Sequence, residues 1–123
     1  MCTILVIEDN PDNMLLISDI LEAEGYKIVQ AETGLIGVDK AINHLPSFII
    51  LDIQLPDILG NEVLKLLRTN NKTQNIPVIA MTSYAMSGDR EKLLSAGCDG
   101  YVEKPIDPVL VMDQIRQAIA GKL

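Results

Sequence analysis

Short, β-branched runs alternate with longer amphipathic stretches along the whole chain, and that alternation leaves few folds open. Ile4-Leu5-Val6-Ile7 is continuous and apolar, as a strand buried on both faces must be. Phe48-Ile49-Ile50-Leu51 and Val78-Ile79-Ala80-Met81 are comparable runs, Lys27–Ala31 reads as a second strand, and Gly100-Tyr101-Val102 as a short fifth. The stretches between them carry apolar residues at helical spacing. In the first these are Met14, Ile17, Ile20 and Leu21, opened by an Asn10-Pro11 cap and stopped by Gly25. Thr33-Gly34 turns into a short helix over about 35–43. Val63, Leu64, Leu66 and Leu67 mark a third helix, which ends near the polar run Thr69–Asn75. A fourth, capped near Ser87, carries Leu93 and Leu94 on its apolar face. Asp107-Pro108 repeats the cap-plus-proline start, and Val111, Ile115 and Ile119 carry a fifth helix.

This fivefold strand–helix alternation predicts an α/β fold: a five-stranded parallel sheet with helices on both faces, flavodoxin-like, in strand order 2-1-3-4-5. At 123 residues the chain fits one domain, 1–123. Only 3% of it is aromatic against 48% apolar, so the core must be aliphatic. The net charge of −7 argues against direct nucleic-acid binding and against an anionic membrane surface. No apolar stretch approaches the roughly 20 residues that span a bilayer. Nor does the amino terminus read as a signal peptide, because Glu8, Asp9 and Asn10 break its apolar run. A cytoplasmic protein is expected. Cys2 and Cys98 lie in no metal-ligand spacing and read as reduced, largely buried thiols. Asn71-Lys72-Thr73 matches a glycosylation sequon by chance.

The ends of the strands carry the chemistry. Glu8-Asp9, Asp52, Thr82-Ser83 and Lys104-Pro105 each follow an apolar run, so a parallel sheet delivers them all to its carboxyl edge. The order 2-1-3-4-5 reverses between strands one and three, where ligands of open α/β sheets bind, and Glu8, Asp9 and Asp52 end those strands. Acids at the end of a buried strand cost desolvation and repel one another unless a cation compensates them. Hard oxygen ligands suit Mg²⁺, with Mn²⁺ as a second possibility. An ammonium at Lys104 can neutralise phosphoryl oxygens, and the Thr82 hydroxyl can donate to them. Taken alone, Lys104 could equally be only the acids' salt-bridge partner, and Thr82 an ordinary strand-end residue. Asp52 stands alone after the central strand, and a carboxylate can attack phosphorus to form an acyl phosphate.

In this order and spacing the residues resemble the receiver domain of two-component response regulators. The resemblance spans essentially the whole chain. It rests on Glu8-Asp9, on Asp52 with Leu55-Pro56-Asp57 and Gly60, on Thr82, on Gly97-Cys98-Asp99-Gly100-Tyr101 and on Lys104-Pro105. The Glu-Asp-Asn start and the Met-Thr-Ser-Tyr-Ala-Met stretch are most similar to single-domain receivers of the cell-division type. The resemblance implies Asp52 as phosphoacceptor and Asp9 and Asp52 as direct Mg²⁺ ligands. It places Glu8 on the metal through water and makes the Gln54 backbone carbonyl the remaining protein ligand. It implies Lys104 as the phosphoryl-binding lysine, behind a cis Lys104-Pro105 peptide, and Thr82 and Tyr101 as switch residues. Gln54 and Tyr84 match positions that tune phosphoryl lifetime.

The implied partners are a histidine kinase or phosphotransfer protein, which donates the phosphoryl group, and a downstream protein target. That target would be met by the face of the fourth helix, fifth strand and fifth helix. His44, the one histidine, reads as a solvated helix-end residue. Such a protein is not an enzyme of turnover; it catalyses only its own phosphorylation and dephosphorylation. The alternatives are a receiver excised from a hybrid kinase or longer regulator, an Asp-nucleophile phosphatase, and an unphosphorylated scaffold. A phosphatase would need a general acid where Gln54 stands. A flavin or dinucleotide site lacks its glycine-rich loop after the first strand.

Overall fold

Parallel strands cannot be joined by tight turns, so each apolar run must be followed by a crossover, and here every crossover contains a helix. The computed structural model describes residues 2–83 and 87–120. Its elements are β1 (Thr3–Ile7), α1 (Pro11–Ala23), β2 (Lys27–Ala31), α2 (Gly34–His44), β3 (Phe48–Asp52), α3 (Gly60–Thr69), β4 (Val78–Thr82), α4 (Ser87–Ala96), β5 (Gly100–Glu103) and α5 (Val111–Ile119). The strands form one parallel sheet in the order β2-β1-β3-β4-β5, as the alternation predicts.

The period of two along each strand divides the core into halves. Ile4, Val6, Phe48, Ile50, Ile79 and Met81 face α1 and α5, meeting Met14, Ile17, Leu21, Ile115 and Ile119. Leu5, Ile7, Ile49, Leu51, Val78 and Ala80 face the other way, onto Ala41, Val63, Leu64, Leu67 and Leu93. β3 and β4 are buried along their whole length. The core is aliphatic apart from Phe48, which Tyr26 meets edge-on with ring centroids 5.6 Å apart.

Local side-chain caps place the starts of α1 and α2. The Asn10 side chain accepts the Asp12 and Asn13 N–H groups at 2.9 and 3.1 Å, with Pro11 as the first helical residue. His44 is exposed at the end of α2. Some expectations need correction. Asp107-Pro108 opens a turn rather than the helix itself. Asp107 Oδ1 accepts the Val109 N–H at 2.9 Å, its carbonyl accepts the Val111 N–H at 2.9 Å, and α5 starts only at Val111. Leu94 is 43% exposed while Leu93 is buried, because consecutive helical residues point about 100° apart and α4 has one covered side. Leu66 is likewise exposed on α3. Cys2 is exposed ahead of β1, and only Cys98 is a buried thiol, which burial and then Asp99 push up to about 11. Residues 84–86, Tyr84 among them, lie outside the described residues, and the cap expected near Ser87 falls there.

Arg68, near the end of α3, ties the amino edge of the sheet together. Its guanidinium donates to the Gly97 carbonyl from Nε at 3.0 Å and from Nη2 at 2.8 Å, and to the Ile76 carbonyl at 2.7 Å. It also pairs with Asp99 at 3.1 Å, and the same Asp99 oxygen accepts the Val78 N–H at 2.8 Å. Gly97 has a φ of +112°, and a Cβ there would stand 3.0 Å from Arg68 Cγ. One side chain thus joins the end of α3, the 70–77 loop, the end of α4 and the start of β5. Arg68→Ala removes the guanidinium from those carbonyls and from Asp99, which keeps the Val78 N–H. It should lower unfolding stability in urea by about 2–3 kcal/mol.

Candidate functional site at the carboxyl edge of the sheet

The sheet ladder continues past the strands and sets the site's backbone. Glu8 N–H donates to Ala31 O at 2.9 Å, Ile53 N–H to Met81 O at 3.1 Å and Lys104 N–H to Thr82 O at 2.8 Å. Asp52 pairs in register with Met81, and Thr82 with Glu103. Residues at the ends of β1, β3, β4 and β5 therefore meet on one edge. Lys104-Pro105 is cis, as the resemblance implies.

Lys104 Nζ lies 2.9 Å from Glu8 Oε1 and 3.1 Å from Asp52 Oδ2. The other Asp52 oxygen accepts the Gln54 N–H at 3.0 Å. Glu8 is fully buried, Asp52 and Thr82 are nearly so, and Asp9 is exposed beside them. Glu8 Oε2 is buried with no hydrogen-bond partner among the described residues. Burial, and then Asp52, push the Glu8 carboxyl up to about 7 against the opposing pull of Lys104. Burial lowers the Lys104 ammonium, but Glu8 and Asp52 outweigh it, and the lysine ends above its usual value. Carboxylate oxygens of Glu8, Asp9 and Asp52 lie within 4.8 Å of one another. Three acids, a single ammonium touching two of them and one orphaned buried oxygen fit a hard divalent cation.

The structure thus gathers Glu8, Asp9, Asp52 and Lys104, with the Gln54 backbone against Asp52. Thr82 ends the neighbouring strand. Tyr101 stands three residues before Lys104 in the chain. It is half-buried in β5, paired with Ala80, and packs on the face that α3 and α4 cover.

Asp57 has a role that the sequence did not reveal. Its two oxygens accept the Gly34 and Leu35 N–H groups at 2.8 and 2.9 Å, at the start of α2. The Leu35 bond foremost, and the Gly34 bond too, hold its carboxyl below the usual range despite some desolvation. The one available signal was negative: α2 has no acid in its own first turn.

The chain belongs to the response regulator receiver domain family, whose model matches residues 4–116. It is a two-component receiver of phosphorelay signalling, in a family that is generally non-enzymatic. It is 40% identical over 114 residues to the polar-differentiation response regulator DivK of Brucella anthropi, covering 93% of each chain. The solved receiver domain of the sensor histidine kinase PA1611 from Pseudomonas aeruginosa has a magnesium ion coordinated in its active site cleft. It matches with a TM-score of 0.88 at 30% identity over 98% of both chains. The chemotaxis response regulator CheY4 of Vibrio cholerae shares the fold, with a TM-score of 0.91 at 22% identity over 96% of this chain and 98% of that one. No described helix is long and apolar enough to cross a membrane.

Glu8 sets an expected pH dependence. Its carboxyl rises from 4.5 to about 7 on folding, so between those values the folded chain holds a proton that the unfolded chain has lost. In metal-free buffer this contribution to stability falls as pH rises from about 4.5 to about 7, and stays lost above it. Glu8→Gln should remove that component from a series of denaturation curves. A divalent cation should stabilise the wild type most above pH about 7, where Glu8 is ionised.

Proposed function

We propose that the chain is a phosphorylation-dependent switch that accepts a phosphoryl group on Asp52 from a phosphohistidine of a histidine kinase or phosphotransfer protein. The observation that carries this reading is Lys104 Nζ, 2.9 Å from Glu8 and 3.1 Å from Asp52, at the rim of the acidic cluster. An Asp52 oxygen attacks phosphorus, and the bond to the donor's imidazole nitrogen breaks with its electron pair staying on that nitrogen. The product is an acyl phosphate on Asp52. Glu8, Asp9, Asp52 and the Gln54 carbonyl would hold Mg²⁺, or Mn²⁺ in its place. Bound there, the cation supplies positive charge against the phosphoryl oxygens. The family membership and the magnesium-bearing Pseudomonas relative support that choice of ion.

Lys104 changes partner in this scheme. Paired with two carboxylates before transfer, it neutralises phosphoryl oxygen afterwards. The Gln54 N–H, 3.0 Å from Asp52 Oδ1, orients the acceptor. Thr82 would donate its hydroxyl to the phosphoryl group, and Tyr101 would repack in response. Thr82 and Tyr101 share the parity of Val78 and Ala80, on the side of the sheet that α4 covers, so a change at Thr82 meets Tyr101 and α4; the downstream target would read it on the surface of α4, β5 and α5. The phosphoryl group biases this equilibrium only through contacts that differ between the two packings. The whole chain, 1–123, then acts as one cytoplasmic receiver. It catalyses its own phosphorylation and dephosphorylation, and its output is a changed affinity for a downstream protein. The likeness to polar-differentiation regulators supports a relay of the cell-division type. Gln54, two residues after Asp52, offers no carboxylic proton, which argues against a turnover phosphatase.

Acetyl phosphate with Mg²⁺ should add one phosphoryl mass to the wild type and none to Asp52→Ala. Lys104→Ala should slow labelling by about 10²–10³-fold, the scale of losing one charge-stabilising donor. Equal labelling of Asp52→Ala would sink the assignment.

A further inference from the structure

The start of α2 presents three backbone donors that no earlier turn of the helix can satisfy. Thr33 Oγ1 accepts one, the Ile36 N–H, at 3.2 Å. The other two, from Gly34 and Leu35, go to Asp57 at 2.8 and 2.9 Å, across 23 and 22 residues of chain. Asp57 belongs to the loop between β3 and α3. That loop is pinched at its base, where the Gly60 N–H donates to Ile53 O at 2.9 Å. A Cβ on Gly60 would stand 2.6 Å from Ile53 Cα, so only glycine lets the two backbones meet. Beside Asp57, Ile58 packs closely on α2: a Cβ on Gly34 would stand 2.7 Å from Ile58 Cγ1. The loop is closed at one end and pinned to α2 at the other, and Gln54 lies between.

We propose that Asp57 is a positioning residue, whose clamp on the start of α2 holds the loop so that the Gln54 carbonyl is aimed at the cation before the cation arrives. This rests on the proposed function, in which that carbonyl is a ligand. A backbone carbonyl has no rotamer of its own; only the loop's conformation aims it. A loop ordered on binding subtracts its lost entropy from affinity, and a loop ordered beforehand does not. A mere helix cap could sit anywhere near the first turn of α2, whereas a clamp requires the acid to be on the loop. The two roles can therefore be separated.

The test is a Mg²⁺ titration followed by amide NMR, since the chain has no tryptophan to report binding. The proteins are wild type, Asp57→Ala, and Asp57→Ala with Leu35→Glu. Leu35 is exposed, and a glutamate there returns negative charge to the first turn of α2 without tethering the loop. Asp57→Ala should weaken Mg²⁺ binding about tenfold, the low end of what losing a group that orients a ligand costs. Acetyl-phosphate labelling should recover at saturating Mg²⁺. The double variant should regain melting temperature and not Mg²⁺ affinity. Wild-type affinity in Asp57→Ala, or affinity that returns with melting temperature in the double variant, would overturn the clamp. A wild type that binds no Mg²⁺, or labelling of Asp52→Ala, overturns instead the reading beneath it.

Discussion

Lys104 reaches over the carboxyl edge of the sheet to lie 2.9 Å from Glu8 and 3.1 Å from Asp52, and the rest of the edge is arranged around that contact. Both acids are almost sealed from water. Left alone they would repel each other and forfeit their hydration, a cost that a shared ammonium only partly offsets. The remainder is visible in Glu8, whose second oxygen has no partner among the described residues and whose carboxyl is pushed up to about 7. The site is built short of positive charge. That shortage makes it receptive to a cation, and it also leaves Lys104 able to exchange a carboxylate for a phosphoryl group.

Such a site needs a frame that does not collapse to relieve it. The two core halves supply one, with β3 and β4 buried along their whole length behind Asp52 and Thr82. At the far edge Arg68 gathers the ends of α3 and α4 and the start of β5 through carbonyls and Asp99. At the near edge Asp57 fastens the loop after Asp52 to α2. Both devices are charged side chains reaching backbone groups far away in sequence. They hold loops, where no ladder of main-chain hydrogen bonds is available to do so.

The strands were legible because β1, β3 and β4 are built on continuous apolar runs, as strands covered on both faces must be, while β2 and β5, which mix apolar with polar residues, lie at the edges of the sheet. The helix starts were legible where a side chain caps its own turn, as Asn10 does. They were less so at α5, where Asp107 caps a preliminary turn and the helix waits until Val111. The exposure of Leu94 and Cys2 was not legible. Hydrophobicity says what a residue prefers, and the available covering surface decides what it receives. Nor could Arg68 or Asp57 be assigned, since Gly97 and Asp99 for the one, and Gly34 and Leu35 for the other, lie 22 to 31 residues away along the chain.

Residue order alone established the parallel sheet, its carboxyl edge and the set of groups delivered there, because strand direction and a two-residue period follow from backbone geometry. It could not distribute charge among those groups. Which oxygens Lys104 meets, which oxygen of Glu8 is left over, how deeply each acid is buried and what anchors the Gln54 loop depend on packing between elements up to 96 residues apart. Electrostatic energy depends on distance and burial in space, and neither is written along the chain.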